Sequence, residues 1–348
     1  MDSLAPVETE TLIVGAGVAG LSCARALHEA GRPVVLLEKS RGVGGRCATR
    51  RVDGQPVDHG PAFIHGSDPA FLDSLDRLGA DALIEGWPSR VRGEGRPCLP
   101  RAFQPGERCV ALRPGLSAFP KSLAAGLEIR LNSRVNELRP TDGGWEASDD
   151  SGATHRASEL VLTLPVQQTL PFLEGLRGLS RDLDGIVALL ATMSSLPCLT
   201  VLAGYEIDGA DLDWEMLYPE RSGLLHLVSH DSSKRDAPAR TVLVYQGLPG
   251  WSRKNLDAQP QRWTADILDE ARTLLGDWAA GPLWTQSHRW RYARAGTGSE
   301  LTRPLLVALP GGARLGIAGE VCGPGGGVQA AWSSGVRLAA RLLGREER

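Results

Sequence analysis

The spacing of three glycines near the N-terminus constrains this chain more than any other feature. Gly15, Gly17 and Gly20 follow a short apolar run, residues 11–14, and precede a segment with the apolar spacing of a helix. In this arrangement the first glycine allows a tight turn, the second admits a phosphate close to the backbone, and the third lets the helix pack against the strand. A second apolar run ends at Glu38, whose carboxylate can accept hydrogen bonds from a ribose diol. The spacing therefore predicts a βαβ unit that binds a dinucleotide.

The segment after the second apolar run favours FAD over NAD as that dinucleotide. It reads Lys39-Ser-Arg-Gly-Val-Gly-Gly-Arg46, a second glycine-rich loop that carries two arginines. Gly44 and Gly45 permit close backbone approach, and Arg41 or Arg46 can form charge-assisted bonds to a diphosphate. A surface turn with two solvated arginines is the alternative interpretation. The predicted cofactor contacts in this part of the chain are Gly15, Gly17, Val18, Ala19, Gly20, Glu38, Lys39, Gly45 and Arg46.

The C-terminal end of the chain carries a second signature. Residues 315–320 have the pattern of a buried strand that ends in Gly-Glu, and residues 323–335 then open a glycine-rich final helix. Together with the N-terminal glycines and the Gly-Gly-Arg loop, this end resembles the flavin amine oxidase superfamily. The resemblance implies that the final helix directs its first N–H groups at the flavin ring, where they stabilise the reduced form. It further implies FAD contacts at Val135, whose backbone meets adenine, and at Gly319, Glu320, Gly327 and Val328.

Within that superfamily, four stretches resemble the renalase-like proteins and their bacterial members. They are residues 44–51, 57–61, 288–294 and 327–335. The resemblance implies noncovalent FAD and an oxidase that converts the 2- and 6-dihydro isomers of NAD(P)H into NAD(P)+. By the same resemblance, hydride passes to flavin N5 and O2, the expected oxidant, is reduced to H2O2.

Two of these stretches supply the four candidate catalytic residues. His59 and His65 lie on the segment that the resemblance places beside the reactive ring, where an imidazole can orient substrate or tune the flavin. Trp290 and Tyr292 alternate on a predicted strand, so they share one face and can clamp a planar ring. The alternatives are a structural hydrogen bond from His59 to backbone and simple core packing of the aromatic pair.

One departure from the renalase-like pattern leaves other functions open. Residues 64–66, Ile-His-Gly, are similar to polyamine oxidases, so amine or polyamine oxidation is a second hypothesis. Amine oxidases generally place a lysine near flavin N5 through a water, and none of the four lysines, at 39, 121, 234 and 254, lies in a matching context. A non-catalytic FAD-binding protein is the third hypothesis.

The pattern predicts an α/β fold with a Rossmann-like FAD-binding domain interleaved with a smaller α+β substrate domain. We assign residues 1–66, 107–175 and 300–348 to the first domain, and 67–106 and 176–299 to the second. In the second domain the apolar pattern predicts a helix over Thr264–Leu275 and strands at Ile186–Met193, Leu199–Ala203, Gly223–Ser229 and Thr241–Gln246.

Composition limits the partners of the chain. A formal net charge of −3 argues against nucleic-acid and membrane-surface binding, which need a basic face. No apolar run reaches the roughly 20 residues of a transmembrane helix, and the first ten residues lack the pattern of a signal peptide. The six cysteines have no metal-ligand spacing and are expected to be free thiols. We therefore expect a cytoplasmic enzyme with a small-molecule substrate and no metal.

Overall fold

The computed structural model describes residues 7–94, 106–206, 212–236, 238–323 and 325–345. Its helices are α1 (Val18–Glu29), α2 (Pro69–Asp76), α3 (Ala118–Ala124), α4 (Val166–Glu174), α5 (Arg181–Ala191), α6 (Pro249–Lys254), α7 (Pro260–Leu275) and α8 (Gly327–Leu342). Its strands are β1 (Glu8–Val14), β2 (Val34–Leu37), β3 (Thr49–Val52), β4 (Gln55–Asp58), β5 (Ile64–Gly66), β6 (Leu83–Glu85), β7 (Val91–Arg92), β8 (Arg108–Leu112), β9 (Glu128–Arg130), β10 (Val135–Thr141), β11 (Gly144–Asp149), β12 (Thr154–Leu162), β13 (Ser195–Tyr205), β14 (Met216–Leu217), β15 (Leu225–His230), β16 (Thr241–Gly247), β17 (Trp284–Ala295), β18 (Leu305–Ala308) and β19 (Arg314–Ile317).

The chain folds into two compact units, each built from separate stretches. Unit 1 contains residues 1–45, 119–195 and 295–348, and unit 2 contains residues 46–118 and 196–294.

These boundaries differ from the division expected from the sequence. Residues 46–66 and 107–118 group with unit 2 because β3 and β4 form a hairpin there and β5 pairs with β8. Residues 176–195 group with unit 1, where α5 buries Leu183, Val187 and Leu190 in the core of that unit.

Unit 1 is organised around an eight-stranded sheet. β1 lies between β2 and β12 and runs parallel to both, and β19 also pairs in parallel with β12. All four residues of β2 are buried, which is why this run is apolar throughout and does not alternate. The carboxyl ends of these parallel strands share one edge of the sheet, the usual location of a nucleotide site in such folds.

Helices α1 and α8 pack closely against each other in unit 1. Gly335 makes this contact possible, because a Cβ there would stand 2.2 Å from the carbonyl oxygen of Ala19 and from the Ser22 hydroxyl. The Ser22 hydroxyl also donates to the Trp332 carbonyl oxygen at 2.9 Å. This helix pair brings the two glycine-rich signatures, far apart in sequence, into one unit.

Unit 2 contains a six-stranded sheet in the order β17-β13-β16-β15-β14-β7. Alternate residues of β13 and β16, among them Leu199, Val201 and Tyr245, pack with Trp263 and Ile267 of α7. The residues between them point to the opposite side of the sheet. We call that side the open face.

The expected strand at Ile186–Met193 is wrong, because residues 181–191 form α5. The Ser180 hydroxyl accepts a hydrogen bond from the Leu183 N–H and so caps this helix. The expected strands Leu199–Ala203, Gly223–Ser229 and Thr241–Gln246 largely coincide with β13, β15 and β16, and the expected helix coincides with α7. Within the described residues, none of the helices combines the length and apolar character needed to cross a membrane.

Candidate active site

The three N-terminal glycines have the local geometry that the sequence predicts. Gly15 has a φ of +106°, and a Cβ there would meet the Thr163 hydroxyl at 2.7 Å. Gly20 allows α1 to lie against the turn, because its Cβ would stand 2.0 Å from the carbonyl oxygen of Gly15. A Cβ at Gly17 would meet no protein atom within 4 Å, so this position faces open space at the start of α1. The turn is therefore closed on its protein side and open where a diphosphate is expected.

The first turn of α1 offers its backbone N–H groups to that open space. Gly17 is the N-cap and supplies no side-chain cap, and the first-turn residues Val18, Ala19 and Gly20, all within the described chain, include no acid. The free N–H groups and the positive end of the helix dipole then favour an anion. Val18 and Ala19 are buried, so their backbone groups alone are available to a ligand.

Glu38 follows β2 and is held by backbone donors on both carboxylate oxygens. Its Oε2 accepts from the Ala16 N–H and its Oε1 accepts from the Ser40 N–H, each at 2.8 Å. Each oxygen retains a lone pair that a ribose hydroxyl can use. The Ser133 N–H donates to the Glu38 carbonyl oxygen at 2.9 Å, which brings the segment before Val135 against this acid. Val135 is buried as the first residue of β10, in the neighbourhood expected for an adenine contact.

The second glycine-rich loop packs on the first. The Gly44 N–H donates to the Ala16 carbonyl oxygen at 2.8 Å, and a Cβ at Gly45 would stand 3.3 Å from the Cα of Gly17. Lys39 is exposed and lies 3.5 Å from the Gln168 amide oxygen. Gly45 therefore lies beside Gly17, where a diphosphate is expected, whereas Lys39 is on the surface.

Arg46, the last residue of the Gly-Gly-Arg loop, begins unit 2. Its guanidinium donates to the Ala293 carbonyl oxygen at 3.3 Å, on β17 of the same unit. Sequence reasoning did not indicate this bond, because Arg46 and Ala293 are 247 positions apart along the chain.

The C-terminal signature also folds as expected in unit 1. Gly319 follows β19, and its N–H donates to the Ser334 hydroxyl at 3.0 Å. Glu320 is buried, and its Oε1 accepts from the N–H of Gly327, the first residue of α8, at 3.3 Å. Gly325, Gly326 and Gly327 have φ values of 78°, 66° and 74°, left-handed conformations that only glycine adopts without strain. The glycine run thus exposes backbone at the start of α8, next to Val328.

The cofactor residues of unit 1 fit FAD. An open Cβ position at Gly17, an uncapped helix start and a buried acid are the three parts that a dinucleotide needs. Burial raises the pKa values of Cys322 in unit 1 and of Cys47 in unit 2 to about 12. They stay protonated at neutral pH and are poor nucleophiles, which supports noncovalent binding.

In unit 2, His59 and Trp290 meet in an aromatic cluster with His288. The His59 and Trp290 rings stack with centroids 5.5 Å apart, and the His288 ring lies 4.1 Å from that of Trp290. The Trp290 indole N–H donates to the His59 carbonyl oxygen at 2.8 Å. The alternation on β17 places Trp284, Trp290 and Tyr292 on the open face. His288 was not singled out by the sequence, although its even spacing with Trp290 could have indicated it.

Both imidazoles of this cluster are neutral at physiological pH. Burial lowers the pKa of His59 to about 3, and the charge of Arg50 acts in the same direction. Burial and Arg50 lower the pKa of His288 to about 4. An Arg50 guanidinium nitrogen lies 3.0 Å from His288 Nδ1, so this nitrogen is the acceptor and carries no proton. His59 Nδ1 is buried and has no hydrogen-bond partner among the described residues.

Of the other two candidate residues, Tyr292 shares the open face of β17 with Trp290, whereas the partners of His65 within the described chain lie outside the cluster. His65 lies on β5, and its Nδ1 is 2.7 Å from Oε2 of Glu107, a partner that the sequence did not indicate. Phe63 lies between the two histidines in sequence, and its ring centroid is 5.8 Å from that of His65. Tyr292 is half-buried on β17. The structure therefore joins His59 with Trp290 but neither of them with His65.

A buried ion-pair network holds the His59 segment, and sequence reasoning missed it. Asp58 and Asp231 pair with Lys234 and Arg235 through contacts of 2.6 to 3.0 Å, and the four side chains are at most 4% exposed. Lys234 also donates to the Ala62 carbonyl oxygen at 3.0 Å. Burial alone would raise the pKa of Asp58, but the charges of Lys234 and Arg235 lower it to about 2.

The network fixes the chain on both sides of His59, because Lys234 binds Asp58 and Ala62 at once. Residues 231–234 form the turn that their polar composition indicates, yet Asp231, Ser232 and Lys234 are buried and Ser233 is half-buried. The signal in the sequence was the Asp231-Ser-Ser-Lys-Arg235 run inside an otherwise apolar segment.

Comparison with known proteins agrees with this geometry. Residues 13–78 match the model of NAD(P)-binding Rossmann-like domains, and residues 92–343 match the model of flavin-containing amine oxidoreductases. Renalase from Mus musculus is 24% identical over 86% of this chain and 89% of that protein. Putrescine oxidase from Kocuria rosea is 40% identical over 22% of this chain, a match that spans only 16% of that oxidase.

A solved structure of putrescine oxidase bound to putrescine has the same fold, with a TM-score of 0.73 over 98% of this chain and 100% of that one, at 17% identity. The expected fold class, a Rossmann-like FAD-binding domain in a mixed α/β chain, is confirmed. Because the amine oxidoreductase match spans more than half of the sequence, the chain belongs to the flavin-containing amine oxidoreductase family, and its cofactor is FAD.

Proposed function

We propose that this protein is an FAD-dependent oxidase that converts the 2- and 6-dihydro isomers of NAD(P)H into NAD(P)+ and reduces O2 to H2O2. The observation that carries the proposal is the neutral aromatic cluster of His59, His288 and Trp290. The renalase-like resemblance, which extends over most of both chains in the comparison with the mouse protein, supports it.

The chemistry of this substrate suits a site whose histidines are too weakly basic to remove a proton near neutral pH. When bound, the flavin supplies a ring that takes a hydride and passes electrons to oxygen. A dihydronicotinamide becomes aromatic by losing a hydride alone, so the protein has no substrate proton to remove. We therefore propose that neutral His59 and His288 transfer no proton and instead pack against the substrate. The flat faces of these two rings and of Trp290 are suited to orient a planar substrate ring. We propose that His65 and Tyr292 complete the substrate site.

The hydrogen-bond partners and exposure of the lysines argue against amine oxidation. That mechanism calls for a lysine that binds a water near the flavin, and Lys234 is the buried lysine of the described chain. Its three N–H donors are used by Asp58, Asp231 and the Ala62 carbonyl oxygen, which leaves none for a water. The remaining lysines, at positions 39, 121 and 254, are exposed.

Anaerobic rapid mixing of the FAD-loaded protein tests the proposal. We expect 6-dihydro-NAD to bleach the flavin absorbance within seconds, and spermine and benzylamine to leave it unchanged. Bleaching by an amine but not by a dihydronicotinamide would establish amine oxidation instead. A protein that binds FAD stoichiometrically and is bleached by neither class would be a non-catalytic flavoprotein.

A substitution in the cluster connects the activity to this site. Trp290→Phe keeps an aromatic ring but removes the N–H that holds the His59 carbonyl oxygen. We expect a reduction rate at least tenfold lower at saturating substrate, because reaction rate is sensitive to small misplacements. Trp251→Phe, in α6 of the same unit, is the matched control and should react like the unchanged protein.

A further inference from the structure

Asp149 is a buried carboxylate that joins two separate parts of unit 1. Its Oδ1 accepts from the N–H groups of Ser151 at 2.9 Å and Ala153 at 3.2 Å. Its Oδ2 accepts from the Ser133 hydroxyl at 2.6 Å and from the His155 Nε2–H at 3.1 Å. Burial alone would raise the pKa of Asp149, but hydrogen bonds from both serines and from His155 hold it well below its usual range. Asp149 is therefore ionised at neutral pH, and it connects the turn after β11 to residue 133.

Ser133 belongs to the segment that follows β9, and this segment lies against Glu38. β9 runs parallel to β2, so the two strands end at the same edge of the sheet. The Glu38 N–H donates to the Arg130 carbonyl oxygen at 2.8 Å, and the Ser133 N–H donates to the Glu38 carbonyl oxygen at 2.9 Å. Ser133 is thus held through its backbone to the predicted ribose acid and through its hydroxyl to the buried carboxylate.

The order of the strands indicates which part of FAD this segment faces. β1, β2 and β9 are neighbours in the sheet, in that order. The diphosphate is expected at Gly17, after β1, and the ribose at Glu38, after β2. The adenine, which is next along the cofactor, is then expected beside the residues that follow β9. Val135, the predicted adenine contact, pairs with Asp149 across β10 and β11.

We infer that Asp149 is a positioning residue that holds residues 133–135 in place for the adenosine end of FAD. The inference concerns the cofactor and is independent of the substrate proposed above. The predicted adenine contact is made by backbone, which cannot adjust by a change of rotamer, so affinity depends on where the segment is fixed. Stabilisation of the turn after β11 needs only Oδ1, whereas Oδ2 binds a hydroxyl 16 positions earlier in the chain.

The first test removes one hydroxyl from either side of the carboxylate. FAD is titrated into the stripped, full-length protein by fluorescence, and ADP is then used to displace it. Ser133→Ala removes the bond to Oδ2 but retains the backbone N–H that pairs with Glu38. We expect the Kd values of FAD and of ADP to rise by the same factor, about tenfold, because ADP contains the whole affected part. The midpoint potential of the bound flavin should not change, because the ring is at the other end of the cofactor.

Ser151→Ala is the matched control for this variant. It removes a hydroxyl that donates to Oδ1 of the same carboxylate, on the side of the turn. Both Kd values should stay within about twofold of those of the unchanged protein. Unchanged ADP affinity in Ser133→Ala would overturn the inference. Failure of ADP to displace FAD from the unchanged protein would also overturn it, since the adenosine end would then contribute no affinity.

A second pair of variants separates positioning from general stability. Asp149→Asn puts an amide nitrogen opposite hydrogen-bond donors, so it should lower the urea midpoint and weaken ADP at least about tenfold. Glu159→Gln is its control, a buried acid of the same unit whose partners Thr11 and Arg32 lie where β2 begins, at the opposite edge of the sheet. It should lower the urea midpoint and keep its ADP affinity.

The comparison of these two buried acids decides between the two roles. An equal loss of ADP affinity in Asp149→Asn and Glu159→Gln would show that only stability matters and would overturn the inference. If Asp149→Asn does not fold, the Ser133→Ala and Ser151→Ala pair decides alone. Flavin bleaching by 6-dihydro-NAD tests the proposed function separately, so either proposal can fail while the other stands.

Discussion

Substitution of Gly17 by alanine separates cofactor binding from folding, and the structure gives the sign of both effects. Gly17 has φ −75° and ψ 177°, a conformation that alanine adopts without strain. An added Cβ meets no protein atom within 4 Å. The methyl group instead occupies the space through which a diphosphate approaches the first turn of α1. Gly17→Ala should therefore damage FAD binding and leave the apoprotein intact.

The expected magnitudes follow from these contacts. Backbone N–H groups bind phosphate oxygens at about 2.9 Å, and a methyl group holds the phosphate about 1 Å further away. Loss of two charge-assisted hydrogen bonds costs roughly 3–6 kcal/mol, so the Kd for FAD should rise by about 10²–10⁴-fold. The stability of the apoprotein should change by less than about 1 kcal/mol, because the restriction that alanine places on the unfolded chain is offset by its poorer fit at the N-cap of α1.

Two measurements and two control variants make the prediction specific. FAD is titrated into the stripped apoprotein by fluorescence, and the apoprotein is unfolded separately in urea. Gly185→Ala places the same methyl group in open space within α5 and should retain FAD. Gly20→Ala brings its Cβ to 2.0 Å from the Gly15 carbonyl oxygen and should destabilise the apoprotein by about 1–3 kcal/mol. A yellow Gly17→Ala protein with unchanged FAD affinity would show that the diphosphate does not bind at this turn.

Three further predictions concern charged and titrating groups. Glu38→Gln puts an amide donor opposite one of two backbone N–H groups, so FAD affinity should fall at least tenfold in a fluorescence titration; an unchanged Kd would contradict the ribose assignment. Lys234→Met leaves two buried carboxylates short of a partner and should cost about 3–5 kcal/mol in urea unfolding, whereas Lys254→Met on the surface should change stability by less than about 0.5 kcal/mol. The pKa values of His59 and His288, lowered to about 3 and about 4, mean that the unfolded chain binds more protons below about pH 6.5. The free energy of unfolding should therefore fall as pH drops from 6.5 towards 4. The decrease is at most about 1.4 kcal/mol per pH unit for buried His59 and smaller for His288. In urea unfolding at several pH values, His59→Asn should show a weaker dependence of this free energy on pH.

The cofactor site could be predicted from the sequence because its residues act locally. Gly15, Gly17 and Gly20 each meet a requirement of backbone geometry within one turn, and the Glu38 side chain accepts a hydrogen bond from the turn that immediately precedes α1. Local requirements of this kind produce a residue spacing that can be recognised in a single sequence. The start of α8 was predictable for the same reason, since its run of glycines adopts left-handed conformations.

Unit 2 was harder to predict from the sequence, because its contacts join residues far apart along the chain. The pairing of Asp58 with Lys234 spans 176 positions, and the bond from Trp290 to the His59 carbonyl oxygen spans 231.

The strand predicted at residues 186–193 is wrong for a local reason, since Leu183, Val187 and Leu190 follow the spacing of a helix. The short apolar run there fits both periods, and the Ser180 cap was the signal that distinguishes them.

The buried network and the neutral cluster are two parts of one electrostatic arrangement. Asp58 and Asp231 carry two negative charges, and Lys234 and Arg235 carry two positive charges, so the network is neutral as a whole. It can hold the His59 segment firmly without imposing a net charge on its imidazole, whose pKa is then governed chiefly by burial. A simpler anchor, a single buried carboxylate beside His59, would favour the protonated ring and make the site attractive to cations such as amines. The balanced pairs thus supply rigidity and add no net charge of their own. With the Arg50 guanidinium beside His288, the arrangement disfavours a cation and suits a neutral, planar ring that gives up a hydride.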